Sequence, residues 1–126
     1  MAALYSDILL DHFRHPRNYG NLSAPHVSNE QFNPLCGDRI RLELKLDHST
    51  VNEVRFKGDA CAICTAAASL LTELVLGANL TEVTSITGEQ LIAALESDIQ
   101  PARIQCVLLP LQALSEGLKS YQDLNS

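Results

Sequence analysis

The chain has four cysteines, and one of them lies two residues before an aspartate. Cys36 and Asp38 fall in the segment NPLCGD, which leads directly into a predicted strand. Pro34 restricts the backbone and Gly37 permits a tight bend, so the thiol and the carboxylate can point to the same side. This segment therefore predicts a thiol and a carboxylate close together at one end of a sheet.

Two further cysteines can reach the same end of that sheet. Cys61 follows the second predicted strand and precedes a helix, where the positive end of the helix dipole favours a thiolate. Cys106 is expected in the early turns of the last helix. Together with Cys36 and Asp38 they offer three soft sulfur ligands and one hard oxygen, a set that suits zinc or iron better than magnesium or calcium. A carboxylate bonds such a metal more weakly than a thiolate does, which suits a site that releases its cargo.

Other interpretations of these residues stay open. Cys64 lies in the first turn of an apolar helix and is explained by core packing. The C-x-x-C spacing from Cys61 to Cys64 also suggests a redox pair, although that motif normally belongs to a βαβ context. All four cysteines could close a structural zinc site, and Asp38 could be an ordinary turn residue. The four histidines are expected to be solvated rather than to bind metal: His12, His15, His26 and His48.

Period-two patterns predict a β-hairpin in the first half of the chain. Residues 39–46 alternate isoleucine or leucine with charged residues, so one face is buried and the other lies in water. Residues 53–57 repeat the pattern after a turn at 47–50, which makes an antiparallel pair. Charged residues of this pair are expected on the solvated face: Lys45, Arg55 and Lys57.

Helical patterns precede and follow the hairpin. Leu4, Ile8, Leu9 and Phe13 lie at helical spacing and predict a first helix that ends at His15-Pro16. Residues 17–34 are rich in Asn, Ser, Pro and Gly and predict a loop, with room for a short extended piece. Residues 62–76 predict an Ala- and Leu-rich helix that Gly77 caps.

The second half of the chain is predicted to be helical to its end. Thr87 and Gln90 form a capping box for a short helix through about residue 96. Pro101 suits the first turn of a last helix, in which Pro110 should cause a kink or a break because it cannot donate to a carbonyl. The apolar stripe of that helix comprises Ile104, Val107, Leu108, Leu111, Leu114 and Leu118. Strands first and helices last predict an α+β fold with helices on one sheet face.

Composition excludes some classes of function. The chain of 126 residues is expected to form one domain, residues 1–126, and its formal charge of −6 disfavours nucleic-acid binding. No apolar run is long enough to span a membrane, and the N-terminus has no signal-peptide pattern. We therefore expect a cytoplasmic protein whose thiols stay reduced.

Several segments, in order along most of the chain, resemble the IscU/SufU/NifU N-terminal family of iron–sulfur cluster assembly scaffolds. The matching segments are LYSD at residues 4–7, DHF at 11–13, PRNYG at 16–20, NPLCGD at 33–38, FKGDACAI at 56–63, AS at 68–69 and RIQC at 103–106.

The resemblance implies a three-stranded antiparallel sheet packed against helices. It implies that Cys36, Asp38, Cys61 and Cys106 hold a labile [2Fe–2S] cluster, or zinc in its absence. A cysteine desulfurase would deliver persulfide sulfur to Cys36 or Cys106, and apo iron–sulfur proteins would accept the product. Residues 98–103 stand in place of the family's Leu-Pro-Pro-Val-Lys chaperone motif, which puts a dedicated Hsp70 partner in doubt.

Two branches of the family fit different features of the chain. Gln105 stands where the scaffold branch has a histidine, which favours the SufU-like branch, a zinc-dependent sulfurtransferase that relays sulfur without holding a cluster. The short stretch from Cys61 to Cys106 instead favours the scaffold branch. A third hypothesis is a structural zinc interaction module with Cys64 as the fourth ligand. A scaffold or carrier is favoured over an enzyme, and an enzyme would be a sulfurtransferase.

Overall fold

The computed structural model describes residues 5–124 and consists of one antiparallel sheet and a set of helices. Strands β1 (Val27–Asn33), β2 (Asp38–Asp47) and β3 (Thr50–Lys57) lie in the order β1-β2-β3. The helices are α1 (Asp7–Arg14), α2 (Ala62–Val75), α3 (Leu80–Thr84), α4 (Gly88–Leu95) and α5 (Ile104–Leu124), with a 3₁₀ turn at Pro101–Arg103 before α5. The predicted α+β class with a three-stranded antiparallel sheet is confirmed.

One face of the sheet is covered by helices. Helix α5 packs on β1 and β2, and α2 packs on β3 and against α5, while α1 lies on α2. The inward side chains of β2 are fully buried in this layer, as the period-two pattern predicts: Ile40, Leu42 and Leu44. Consecutive alanines of α2 at 66–68 have no exposed surface and allow close packing of that helix. Burial of this apolar layer supplies the main driving force for the fold.

At two positions, neighbouring atoms approach so closely that they leave no room for a Cβ. A Cβ on Gly58, at the end of β3, would lie 1.9 Å from the carbonyl oxygen of Arg39, so the two chain segments can meet only with glycine there. A Cβ on Gly117 in α5 would lie 2.8 Å from Val27 Cγ1. The first contact holds the segment that leads from β3 to Cys61 against the start of β2.

Several sequence predictions need correction. Residues 27–33 lie in a segment predicted as a loop with room for a short extended piece, and they form the seven-residue edge strand β1, which pairs with residues 38–44 of β2. Helix α3 was not predicted, although Asn79 and Glu82 form a capping box. Pro110 does not break α5, which is continuous from residue 104 to 124 with the proline buried. Packing of its neighbours against the sheet compensates for the missing N–H.

Burial also differs from expectation at one histidine. His12 is 5% exposed, and its Nδ1 lies 2.7 Å from Ser69 Oγ while its Nε2 lies 3.2 Å from Glu73 Oε1. These partners on α2 are distant in sequence, so helix periodicity did not indicate them. The predicted role of Leu4 in α1 lies outside the described residues.

The capping box of α4 and the antiparallel hairpin agree with prediction, but the strands extend beyond the predicted bounds, because Asp47 and Thr50, expected in the turn, pair with each other. Within residues 5–124, no helix is both long and apolar enough to cross a membrane.

Candidate metal and sulfur site

Cys36 lies in a tight turn between β1 and β2. The Gly37 N–H donates to the Asn33 carbonyl at 2.8 Å, and the Leu35 N–H donates to the Asn33 side-chain oxygen at 3.0 Å. Gly37 has a φ of 76°, a left-handed conformation that glycine adopts without steric cost. The turn leaves the Cys36 thiol exposed to solvent.

Asp38 is the first residue of β2 and is only 4% exposed. Its Oδ1 accepts a hydrogen bond from the Cys61 N–H at 3.0 Å, which ties the start of β2 to the start of α2. Its Oδ2 is buried and has no hydrogen-bond partner within the described part of the chain. A buried carboxylate oxygen without a partner is costly and calls for an explanation, such as a bound ion.

Cys61 caps the N-terminus of α2 through its side chain. Its sulfur accepts from the Cys64 N–H at 3.4 Å, and the residue is half-buried. Cys64 itself has no exposed surface, and burial raises the pKa of its thiol far above the usual range. Its environment fits the core-packing interpretation.

Cys106 lies in the first turn of α5 and is 2% exposed. Burial, followed by the charge of Cys61 and a hydrogen bond between the two thiols, raises the pKa of Cys106 to about 12. A hydrogen bond from the Arg103 side chain acts in the opposite direction. In the metal-free protein Cys106 is therefore shielded from solvent and ionises less readily than an exposed cysteine.

Arg103 was not among the predicted site residues. Its interaction with the Cys106 thiol, followed by the charge of Cys61, raises the pKa of Arg103. The two residues are three apart at the start of the last helix, a spacing that brings side chains together on a helix surface. That spacing was the available signal in the sequence.

The fold brings three of the four predicted ligands into one group. The sulfurs of Cys36 and Cys106 and a carboxylate oxygen of Asp38 lie within 4.8 Å of one another. Cys61 is not part of this triple, but it contacts Asp38 through its N–H and Cys106 through its thiol. The donor set of thiols and one carboxylate fits zinc or iron, and the unpartnered Asp38 Oδ2 offers a lone pair to such an ion.

A family model and two curated relatives place the chain in the same protein family. Residues 4–126 match the family described as the NifU-like N terminal domain. The chain is 34% identical to the zinc-dependent sulfurtransferase SufU of Bacillus subtilis, over 99% of this chain and 96% of that protein. It is 34% identical to the iron–sulfur cluster assembly scaffold protein IscU of Azotobacter vinelandii, over 94% of each.

A solved structure from Fervidobacterium islandicum AW-1, described as an iron–sulfur cluster assembly scaffold protein for the SUF system, has the same fold. It superposes with a TM-score of 0.80 at 25% identity, over 91% of this chain and 96% of that one. Because the family match spans nearly the whole sequence, the chain belongs to the NifU-like N-terminal domain family.

Proposed function

We propose that this chain is an iron–sulfur cluster assembly protein. It accepts persulfide sulfur from a cysteine desulfurase and carries a labile [2Fe–2S] cluster, or a metal ion, for transfer to apo-proteins. The observation that carries this proposal is the buried Oδ2 of Asp38, which lacks a partner among the described residues, in a group that includes two cysteine sulfurs. The resemblance to both SufU and IscU proteins supports the same function.

The proposed ligands are Cys36, Asp38, Cys61 and Cys106. Bound zinc would keep the thiols deprotonated and hold them in place. The N–H of Cys61 orients the Asp38 carboxylate through Oδ1 and leaves Oδ2 for the ion. Arg103 provides positive charge beside the Cys106 sulfur.

Cys36 is the better candidate of the two predicted persulfide acceptors. It is exposed in its turn, whereas Cys106 is buried with a raised pKa. The Cys36 thiolate would attack the outer sulfur of the donor persulfide, forming Cys36–S–SH and releasing the donor's cysteine as its thiolate. The sulfane sulfur is transferred without net oxidation or reduction.

A second candidate function is the zinc-dependent sulfur relay. Gln105, directly before Cys106, stands where the scaffold branch has a histidine, which favours the SufU-like branch. The length of the chain counts against the relay, because the alignment with Bacillus subtilis SufU extends over 142 positions and that relative therefore has residues without a counterpart among the 126 here. The structural zinc module receives less support, because the described triple contains Asp38 and not Cys64.

The test is anaerobic reconstitution with iron, cysteine and a cysteine desulfurase, followed by the visible absorption spectrum. A scaffold will show a sulfide-to-iron charge-transfer spectrum that Cys36→Ser, Cys61→Ser or Cys106→Ser removes. Cys64→Ala is the matched cysteine control and should retain it.

A colourless protein that keeps zinc and accelerates the desulfurase would instead establish the sulfur relay. Loss of that acceleration in Cys36→Ser, with zinc-free Cys106→Ser still labelled by persulfide, would identify Cys36 as the acceptor. A protein with neither spectrum, acceleration nor bound metal would contradict the proposal.

A further inference from the structure

The outer face of the sheet carries basic residues although the chain as a whole is acidic. Five of the nine Lys and Arg residues lie in β2 and β3, while the formal charge of the chain is −6. Three of these five lie at the end of the sheet nearest to the cysteines: Arg39, Arg41 and Lys57. We call these three residues the basic cluster.

The strand register places like charges opposite each other in the basic cluster. Arg41 pairs directly with Lys57 across β2 and β3, and Arg39 is the next outward residue on β2. Like charges directly opposite on a sheet destabilise it. The Arg41–Lys57 pair therefore lowers the local stability of the sheet, and the Glu30 carboxylate opposite Arg41 on β1 offsets part of that loss.

Internal carboxylates compensate this charge only in part. Glu30 on β1 is shared between the two arginines, at 3.9 Å from Arg39 Nε and 3.7 Å from Arg41 Nη2. Lys57 forms no ion pair with any of the residues that the structure describes. Half of each arginine side chain remains exposed, at 55% for Arg39 and 49% for Arg41.

An open cavity of about 250 Å³ lies between these side chains, with Asn21, Gly58 and Asp59 completing its wall. The Asp59 carboxylate forms no ion pair with any of the described residues. The cavity adjoins the thiol site, because the Arg39 N–H donates to the Asp59 carbonyl at 2.9 Å and Asp59 is two residues from Cys61.

We propose that the basic cluster docks a carboxylate-rich segment of the protein that exchanges sulfur or metal with the thiol site. The identity of that partner rests on the proposed function. A bound carboxylate would neutralise the Arg41–Lys57 repulsion and position the partner over the end of the sheet that carries Cys36 and Cys61. A carboxylate-rich segment is complementary in charge to the basic cluster, in which the single carboxylate of Glu30 is shared by two arginines.

An exposed aromatic residue beside the cluster also fits a peptide. The Phe32 ring is half-exposed, and the Arg39 guanidinium lies 5.1 Å from its centroid. A peptide can use this apolar surface as well as the charges, whereas an inorganic anion can use only the charges.

The experiment is an NMR titration of ¹⁵N-labelled, metal-free protein at low salt with oligoglutamate peptide, with oligoglutamine and with inorganic phosphate. Oligoglutamate should shift the backbone amides at 39–41 and 57–59, and oligoglutamine should not. Arg41→Gln combined with Lys57→Gln should weaken oligoglutamate binding by about tenfold, since two surface ion pairs are lost. Lys119→Gln, an exposed change on α5, is the matched control and should bind as the parent does.

Shifts scattered over the surface, or equal binding by the double variant, would overturn the proposal. Phosphate that binds as tightly as the peptide would make this a small-anion site and would also overturn it. A second measurement is thermal unfolding of Lys57→Gln, which should be at least as stable as the parent because the variant relieves a like-charge pair. A loss of stability would mean that Lys57 serves the fold, which would overturn the assignment of that residue to docking.

The titration does not involve the cysteines, so it fails or succeeds independently of cluster reconstitution. If the peptide binds but no metal, cluster or persulfide is ever held, the docking surface stands and the proposed function fails. If reconstitution succeeds and the peptide does not bind, the proposed function stands and the docking surface fails.

Discussion

The substitution Asp38→Asn tests whether Asp38 is a metal ligand or an ordinary turn residue. If Asp38 is a ligand, the substitution should raise the stability of the metal-free protein and lower that of the zinc-loaded protein. In the metal-free protein, Oδ2 of Asp38 is a buried carboxylate oxygen without a partner among the described residues. The substituted amide would keep an oxygen for the Cys61 N–H, which now donates to Oδ1 at 3.0 Å. Its neutral NH₂ would face the sulfurs of Cys36 and Cys106, which are weak acceptors.

The magnitude follows from these contacts. An unpaired buried polar atom costs about 1–3 kcal/mol, and a charged one costs more than a neutral one. We therefore expect the free energy of unfolding of the metal-free protein to rise by about 1 kcal/mol, which for a chain of this size raises Tm by about 4 °C. Loss of a direct ligand should weaken zinc binding by at least about 100-fold, which removes about 2.8 kcal/mol of zinc-dependent stabilisation.

The assay is thermal and urea unfolding of both proteins, with a chelator and with a fixed excess of zinc. Asp47→Asn is the control, because Asp47 lies at the exposed far end of β2 and should change neither state by more than about 0.5 kcal/mol. If Asp38→Asn lowers the stability of the metal-free protein and leaves the zinc-dependent shift intact, Asp38 is a turn residue and our reasoning is refuted.

Two further substitutions test the positioning of the site and the packing of α1. Gly58→Ala should destabilise the protein by at least about 2 kcal/mol in urea unfolding, because its Cβ would lie 1.9 Å from the Arg39 carbonyl oxygen. Gly37→Ala is the comparison, because its Cβ would meet no neighbouring atom and only the left-handed φ would be strained. A smaller loss of stability in Gly58→Ala than in Gly37→Ala would contradict the prediction. Burial lowers the pKa of His12 below its usual 6.5, so the unfolded chain binds that proton more readily and stability should fall as pH drops through and below 6.5. His12→Gln should remove that share of the pH dependence in urea midpoints measured from about pH 7.5 to pH 5, and an unchanged slope would show that other groups cause it.

Local patterns in the sequence predicted most of the secondary structure because their causes are local. The alternation of leucine and isoleucine with charged residues over 39–46 dictates a strand with one buried face, and Thr87 with Gln90 caps α4 through contacts three residues apart. The capping box of α3, from Asn79 to Glu82, was equally local, but that helix has only five residues and gives little periodic signal. Such elements need no distant partner to be recognised.

Other features depend on residues far apart in the chain. The polar segment at 27–33 becomes a strand because β2 offers a paired edge, and Pro110 stays helical because α5 packs on the sheet. His12 is buried because Ser69 and Glu73 of α2 supply partners for both ring nitrogens. In each case a tertiary contact outweighs the local preference.

The candidate site shows the same division. Residue types and order alone singled out Cys36, Asp38, Cys61 and Cys106 as donors for zinc or iron, since that chemistry belongs to the side chains themselves. Only the tertiary structure decided that one Asp38 oxygen accepts from the Cys61 N–H while the other has no partner among the described residues. It also decided that Cys36 is exposed, that Cys106 is buried, and that Arg103 interacts with the Cys106 thiol. Burial and hydrogen-bond pairing arise where β2, α2 and α5 meet, and no single segment of the sequence contains all three.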